Sequence, residues 1–218
     1  LTPEDASYNN RSIYPKGKKI SWLGDTDKMV FSEKGALMVQ NAGTKSAKEF
    51  MTIDQLNEIA HNSGVDSLRA IPNFTWLNDS QAYFYTLNKS EKGGYNLNTI
   101  DIKNKVIKKI TTVPDAADNM EICTANMKVA YTIENDLFIA DGDKQVRITQ
   151  NPKGVVAGQS VHRNEFAIDG GIFWSPDASR VAFFRKDESL VTDFPLLDIK
   201  TRTGELMNIK YPMNGMAS

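Results

Sequence analysis

Between Asn151 and Gly171 the chain carries His162, Arg163, Asn164, Glu165 and Asp169 close together in a Gly-rich, polar stretch. An acid, a base and two cationic or amide donors within a few residues are the equipment of a binding site. Long excursions on a rigid scaffold are where such residues collect. They do not add up to a catalytic centre. A serine hydrolase needs its nucleophile on a sharp turn, usually G-x-S-x-G, with a His base. The nearest match, Gly158-Gln159-Ser160-Val161-His162, lacks the second Gly and does not lead from a strand into a helix. The other histidine, His61, lies in a different segment, at the end of a short helix where solvent reaches it. No C-x-x-C, H-E-x-x-H, P-loop or G-x-G-x-x-G is present. Asp25/Asp27 and Asp141/Asp143 are turn carboxylates, because neither pair continues into a twelve-residue calcium loop with its terminal Glu. No metal and no cofactor is expected.

The scaffold that positions these residues is repetitive. Trp22-Leu23-Gly24-Asp25, Trp76-Leu77-Asn78-Asp79 and Trp174-Ser175-Pro176-Asp177 each end a short apolar run and precede another. Glu121-Ile122-Cys123-Thr124, running into Lys128-Val129-Ala130-Tyr131, is a fourth copy without the Trp. Residues 22, 76, 123 and 174 are spaced by 54, 47 and 51 positions. A hairpin recurring about every 50 residues is the signature of a β-propeller. The expected fold is therefore all-β: about four blades of four antiparallel strands, near 20–70, 71–118, 119–158 and 172–211, with residues 151–171 as a polar excursion. One short helix interrupts them near 52–62. There Thr52-Ile53-Asp54-Gln55 makes a T-x-x-Q capping box, and Ile53, Leu56, Ile59 and Ala60 share a face. The three tryptophans are expected to pack blade on blade, and Cys123 to be a small core residue on an inner strand.

Composition excludes several classes. The 218 residues are 40% hydrophobic, enough for a core. Lys+Arg number 26 against 27 Asp+Glu, so no charge excess exists to hold nucleic acid. No apolar run spans a bilayer, and one cysteine allows no intrachain disulfide. The chain does not begin with Met and shows no signal peptide, as expected of a processed or engineered product.

Five blocks in order carry a resemblance: Ser160-Val161-His162-Arg163-Asn164-Glu165-Phe166, Phe173-Trp174-Ser175-Pro176-Asp177, Phe183-Phe184-Arg185-Lys186-Asp187-Glu188-Ser189, Phe194-Pro195-Leu196 and Tyr211-Pro212-Met213-Asn214-Gly215. Together they resemble the propeller of the dipeptidyl peptidase IV family, with weaker support from Leu1-Thr2-Pro3-Glu4-Asp5 and Asn135-Asp136-Leu137-Phe138-Ile139. The helix at Thr52 resembles an insertion of bacterial members. The family pairs an eight-bladed N-terminal propeller with a C-terminal α/β-hydrolase domain. Its members are prolyl oligopeptidase-type serine peptidases that release N-terminal dipeptides, usually after proline.

The resemblance implies that residues 1–218 are the first part of a propeller, with the hydrolase domain absent and no catalytic residue in this chain. Two adjacent glutamates before the W-S-P motif bind the substrate's free amino terminus in the family, and the matching positions here are Asn164-Glu165. Glu165 is then the amine-binding carboxylate. Asn164 departs from the pattern by accepting a hydrogen bond without charge, and Arg163 and His162 stand beside the pair as supporting groups. The stretch from Lys89 to Gly93 supplies only Lys89 and Lys92 where the family has a substrate-holding arginine, and nothing is carried over there. The implied partners are a peptide with a free N-terminus, the hydrolase domain of the same polypeptide, and a second copy, since a cut propeller exposes apolar blade surface. The parent protein is expected to be exported, periplasmic or outer-membrane-associated. The competing expectations are a non-catalytic propeller scaffold without a peptidase domain, and a complete four-bladed enzyme with its own site.

Overall fold

The structure, a computed structural model, describes residues 18–90, 93–161 and 168–216. Eighteen strands and one helix occupy them. Strands β1 (Ile20–Trp22), β2 (Lys28–Glu33), β3 (Ala36–Asn41) and β4 (Lys48–Thr52) form one antiparallel sheet in chain order. Helix α1 (Ile53–Asn62) follows. A second four-stranded sheet, again in chain order, is built from β5 (Thr75–Trp76), β6 (Gln81–Leu87), β7 (Tyr95–Asp101) and β8 (Val106–Val113). The third is β12-β11-β10-β9, from β9 (Asp118–Ile122), β10 (Val129–Ile133), β11 (Asp136–Asp141) and β12 (Lys144–Arg147).

The repeat visible in the sequence is a repeated turn. Each copy is closed by a backbone bond from the residue after the Trp position, or from Cys123 itself. Leu23 N–H donates to Lys28 O (2.9 Å), Leu77 to Gln81 O (2.8 Å), Cys123 to Lys128 O (2.8 Å) and Ser175 to Arg180 O (2.9 Å). Three of these turns contain a left-handed residue, Gly24, Met127 or Ala178, which the second turn manages without. Its Asn78 carboxamide instead accepts the N–H groups of Ser80 and Gln81.

By contact density the chain falls into two units. The first comprises the described residues up to Tyr85 together with Asn98–Lys109; the second comprises Thr86–Leu97 and the described residues from Ile110 onward. Strands β6, β7 and β8 contribute residues to both. The core of the first unit gathers Val30, Leu37, Met51, Leu56, Ala82, Phe84 and Ile100. Helix α1 closes it. The capping box is formed in both directions between Thr52 and Gln55, and Leu56, Ile59 and Ala60 are buried. His61 is exposed at the last turn. Strand β4, immediately before the helix, has no counterpart in the sequence reading. Its Lys48-Glu49-Phe50 start is polar, and only its pairing with β3 makes it a strand.

In the second unit the third sheet is pinned by Asp136. Its carboxylate accepts from Arg147, from Thr149 Oγ1 (2.9 Å) and from the Asn151 N–H (2.8 Å). Burial pushes that carboxyl upward, but these three donors outweigh it and hold the group below the usual range. Cys123 is buried, as expected, but lies one residue beyond β9, in the turn, where its carbonyl accepts Met127 N–H (2.7 Å).

Three expectations need correction. The fourth repeat gives no four-stranded sheet among the described residues. It gives three pairs: β13 (Val155–Ala157) with β16 (Arg185–Asp187), β14 (Ile172–Trp174) with β15 (Val181–Phe183), and β17 (Asp193–Asp198) with β18 (Glu205–Lys210). Residues 151–171 are not wholly an excursion, because Val155, Val156 and Ala157 are buried strand. Trp22 is not a core residue: 57% of its surface is exposed. Trp76 and Trp174 are half-buried and do pack on the cores of their own units.

Candidate functional site

The excursion is set into the fourth repeat in an unusual way. Before it, Val155, Val156 and Ala157 face Asp187, Lys186 and Arg185. After it, Ile172, Phe173 and Trp174 face Phe183, Ala182 and Val181. Between the two ladders stands Phe184. Its carbonyl accepts Gly158 N–H (2.8 Å) and its N–H donates to Gly171 O (3.0 Å). The register therefore jumps by thirteen residues (171 − 158 = 13) at one residue of the facing strand. A single strand line is interrupted: it is left after Gly158 and resumed at Gly171, both opposite Phe184.

Two glycines make this geometry permissible. A Cβ on Gly171 would lie 2.5 Å from the Gln159 carbonyl carbon and 2.7 Å from Gly158 O. Gly158 has φ +72°, and its Cβ would meet Thr132 Cγ2 at 2.9 Å. One step further out, the Ser160 hydroxyl, with only 5% of the residue exposed, donates to Ile168 O at 2.6 Å. The Gln159 carboxamide donates to Glu134 O (2.9 Å) and ties the stem to the β10–β11 turn.

Beside this stem lies a polar cavity of about 390 Å³, lined by Ala116, Asp118, Asn119, Thr132, Glu134, Gln159 and Ser160. A bulge between β9 and β10 shapes it: pairing shifts between Ala130 and Thr132, and Asn119 takes a left-handed φ of +48°. Asn119 Nδ2 donates to Thr132 Oγ1 (2.8 Å), which in turn donates to Asp118 O (3.2 Å). On the far side of β16, Lys186 Nζ stands 2.6 Å from Glu188 Oε1, and the Glu188 N–H donates to Gly154 O at 2.6 Å.

The predicted site residues His162, Arg163, Asn164 and Glu165 lie outside the described residues. Asp169, on the returning limb, is exposed. Ser160, the nearest approach to a nucleophile, is buried with its hydroxyl donated to a backbone carbonyl, and it follows a strand that leads into no helix among the described residues. Among the described residues no group of His, Cys, Asp and Glu could hold a metal ion. Sequence reasoning found the excursion and missed its stem. The signal was present in Gly158 on one side and Gly170-Gly171 on the other, but a register jump is a property of pairing, not of spacing. The cavity's Asp118, at the start of β9, and Glu134, in the β10–β11 turn, lie 16 residues apart and carried no signal at all.

Comparison with known proteins places this chain in a family. A family model described as the dipeptidyl peptidase IV (DPP IV) N-terminal region matches residues 89–218, more than half of the chain. A solved structure of a Bacteroides ovatus protein, described as a dipeptidyl aminopeptidase IV, is 34% identical with a TM-score of 0.71, over 91% of this chain and 27% of its own. Porphyromonas gingivalis dipeptidyl peptidase 4 shares the fold at 19% identity and a TM-score of 0.63, over 92% of this chain and 29% of its own. A curated relative, dipeptidyl-aminopeptidase B of Aspergillus clavatus, is 21% identical across 94% of this chain and 26% of its own length. The chain thus spans roughly a quarter of the relatives it matches. The described residues add antiparallel four-stranded sheets and one short helix, and the chain belongs to the dipeptidyl peptidase IV N-terminal region family.

Proposed function

We propose that this chain is the substrate-binding portion of a bacterial dipeptidyl peptidase of the serine type, which removes N-terminal dipeptides with Xaa-Pro preference and is inactive without its hydrolase domain. Glu165 pairs with the substrate's α-ammonium, Asn164 adds a neutral acceptor, and Arg163 and His162 support them. The reaction takes place in the C-terminal domain of the same polypeptide. An ammonium held in a half-desolvated site needs a carboxylate, because charge-assisted hydrogen bonds offset its desolvation. Fixing it about two extended residues, roughly 7 Å, from the attacked carbonyl determines which bond is cut.

The observation that carries this reading is the excursion itself. It holds positions 162–165, within the residues that the family model covers, and it leaves and re-enters one strand line at Phe184. Export of the parent is supported by the resemblance to bacterial members alone. Self-association is supported by the exposed Phe194, Leu196, Leu197, Leu206 and Met207 of the β17–β18 hairpin.

The test is Glu165→Gln in the full-length protein. Loss of one charged hydrogen bond of about 1.5–3 kcal/mol raises KM for a Gly-Pro chromogenic substrate about tenfold to a hundredfold. Unchanged kinetics would remove the reading.

A further inference from the structure

We infer that Ser160, with Gln159 behind it, is a positioning residue for recognition of the substrate's amino terminus: its buried hydroxyl clasps the two limbs of the excursion and so sets where the amine-binding segment begins and ends. The inference rests on the reading of Glu165 as the ammonium partner.

The two limbs meet three times over a few residues, and the outgoing limb is anchored once more to the β10–β11 turn. Gly158 and Gly171 share Phe184 through bonds of 2.8 and 3.0 Å. Gly171 lies so close to Gln159 that no Cβ fits. Ser160 Oγ reaches across to Ile168 O at 2.6 Å. Gln159 anchors the outgoing limb to Glu134 O at 2.9 Å. The first two contacts belong to the sheet and would hold any insertion at this point. The third does not. It lies beyond the ladder, it joins the limbs to each other rather than to the sheet, and it leaves only residues 161–167 between its ends.

A side-chain hydroxyl spent on a backbone carbonyl inside a buried stem contributes little that a methyl or methylene could not replace in packing. Its particular contribution is to limit how far the ends can part. A segment whose ends are held together has fewer end-to-end arrangements than one whose ends can part, so a group it carries is placed within a smaller volume. An exopeptidase depends on that volume, because the ammonium must sit a fixed number of residues from the cleaved bond. A misplacement of about 1 Å can lower reactivity by about a hundredfold. Ser160 also lines the polar cavity beside the stem, and removal of its hydroxyl leaves Ile168 O without this donor.

The experiment uses the full-length protein and measures inhibition by an Xaa-Pro dipeptide with a free amine and by its N-acetyl derivative. The ratio of the two inhibition constants reports amine recognition and is insensitive to a uniform loss of binding. Ser160→Ala is expected to lower that ratio about fivefold to tenfold, the equivalent of one hydrogen bond. Ser160→Thr, which keeps the hydroxyl, holds the ratio within about twofold. Gln159→Leu, at a half-exposed position, lowers it about twofold to threefold. Thermal melting of each variant identifies loss of fold, in which case Gln159→Leu decides the question.

If Ser160→Ala weakens both ligands alike, or Ser160→Thr behaves as Ser160→Ala does, the hydroxyl has no positioning role and the inference is overturned. Glu165→Gln separates the two levels. If it collapses the ratio while Ser160→Ala and Gln159→Leu leave the ratio whole, only the stem's role is lost. If Glu165→Gln itself leaves the ratio unchanged, the amine-binding reading fails and the inference fails with it.

Discussion

The third and fourth repeats begin alike and end differently. Both close their head hairpin with one bond, Cys123 to Lys128 and Ser175 to Arg180, and both place a left-handed residue in the turn. In the third, β11 and β12 follow at once and the sheet is complete by Arg147. In the fourth, the first strand is interrupted by twelve residues, and the last two strands form a hairpin of their own with no third strand beside it among the described residues. The head of a repeat is therefore specified locally, by turn chemistry within six residues. The outer strands are specified by what they pack against, and that differs from one repeat to the next.

The largest expected contrast comes from burial. Leu137, on β11, is fully buried under the third sheet with Ala130, Ala157 and Ile172. Leu137→Ala is expected to destabilise by about 3 kcal/mol, through lost transfer energy and the cavity left behind. Leu197 is 59% exposed on the β17–β18 hairpin. Leu197→Ser is expected to change stability by no more than about 0.5 kcal/mol. A two-stranded sheet is marginal alone in water, and an apolar one seeks a partner. Leu197→Ser combined with Leu206→Ser is therefore expected to reduce self-association in sedimentation while leaving the urea midpoint in place. Equal stability losses at Leu137 and Leu197 would erase the distinction between the repeats.

A smaller contrast sharpens the account of the insertion. Gly142, in the β11–β12 turn, has φ +58° and open space around its would-be Cβ, so Gly142→Ala meets only backbone strain of about 1 kcal/mol. Gly171 has ordinary backbone but backbone atoms at 2.5–2.7 Å where its Cβ would go. Gly171→Ala must part the limbs of the excursion and is expected to destabilise by about 2–3 kcal/mol. Urea denaturation followed by tryptophan fluorescence measures both. A Gly171→Ala protein no weaker than Gly142→Ala would mean that the limbs are free to separate.

These contrasts mark what was legible in the sequence. The Trp-centred turns could be read because each is a short-range arrangement, in which Asn78 or Asp177 bonds its own neighbours. The helix could be read because a capping box needs only Thr52 and Gln55. Strand β13 could not. Val155-Val156-Ala157 is too short to show a period, and its partner lies 30 residues away across the excursion. Nor could the exposure of Trp22, since a Trp at the repeat's fixed position is identical in sequence whether or not anything covers it. The candidate site was legible as a cluster of residue types. Its fixation by Phe184, Ser160 and the two glycines was not, because each of those contacts joins residues that only pairing brings together.

The smallest expected effect compares two turn acids. Asp136 and Asp177 are both held below the usual carboxylate range, by different means. Asp136 is buried, which opposes ionisation, and three donors more than compensate. Asp177 is exposed and is brought to about 2, first by the Ser175 hydroxyl (2.6 Å), then by the hydroxyl and N–H of Ser179. A carboxyl whose folded pKa is depressed stabilises the fold above its unfolded pKa, near 4, and loses that contribution as pH falls through the folded value. For Asp177 the window runs from about 4 down to about 2. Carboxyl-detected NMR titration is expected to place its midpoint near 2, and Ser175→Ala to raise it toward the ordinary aspartate value of 3.8. Asp177→Asn flattens the acid limb of the stability curve within that window only. Solvent screens an exposed group, so the flattening is slight, whereas Asp136→Asn also weakens the ties to Thr149 and Asn151 and lowers stability at neutral pH. A wild-type Asp177 titrating near 3.8 would show that its turn closes through the backbone and hydroxyl bonds between Ser175 and Arg180 without the carboxylate, as the third repeat's turn closes without any.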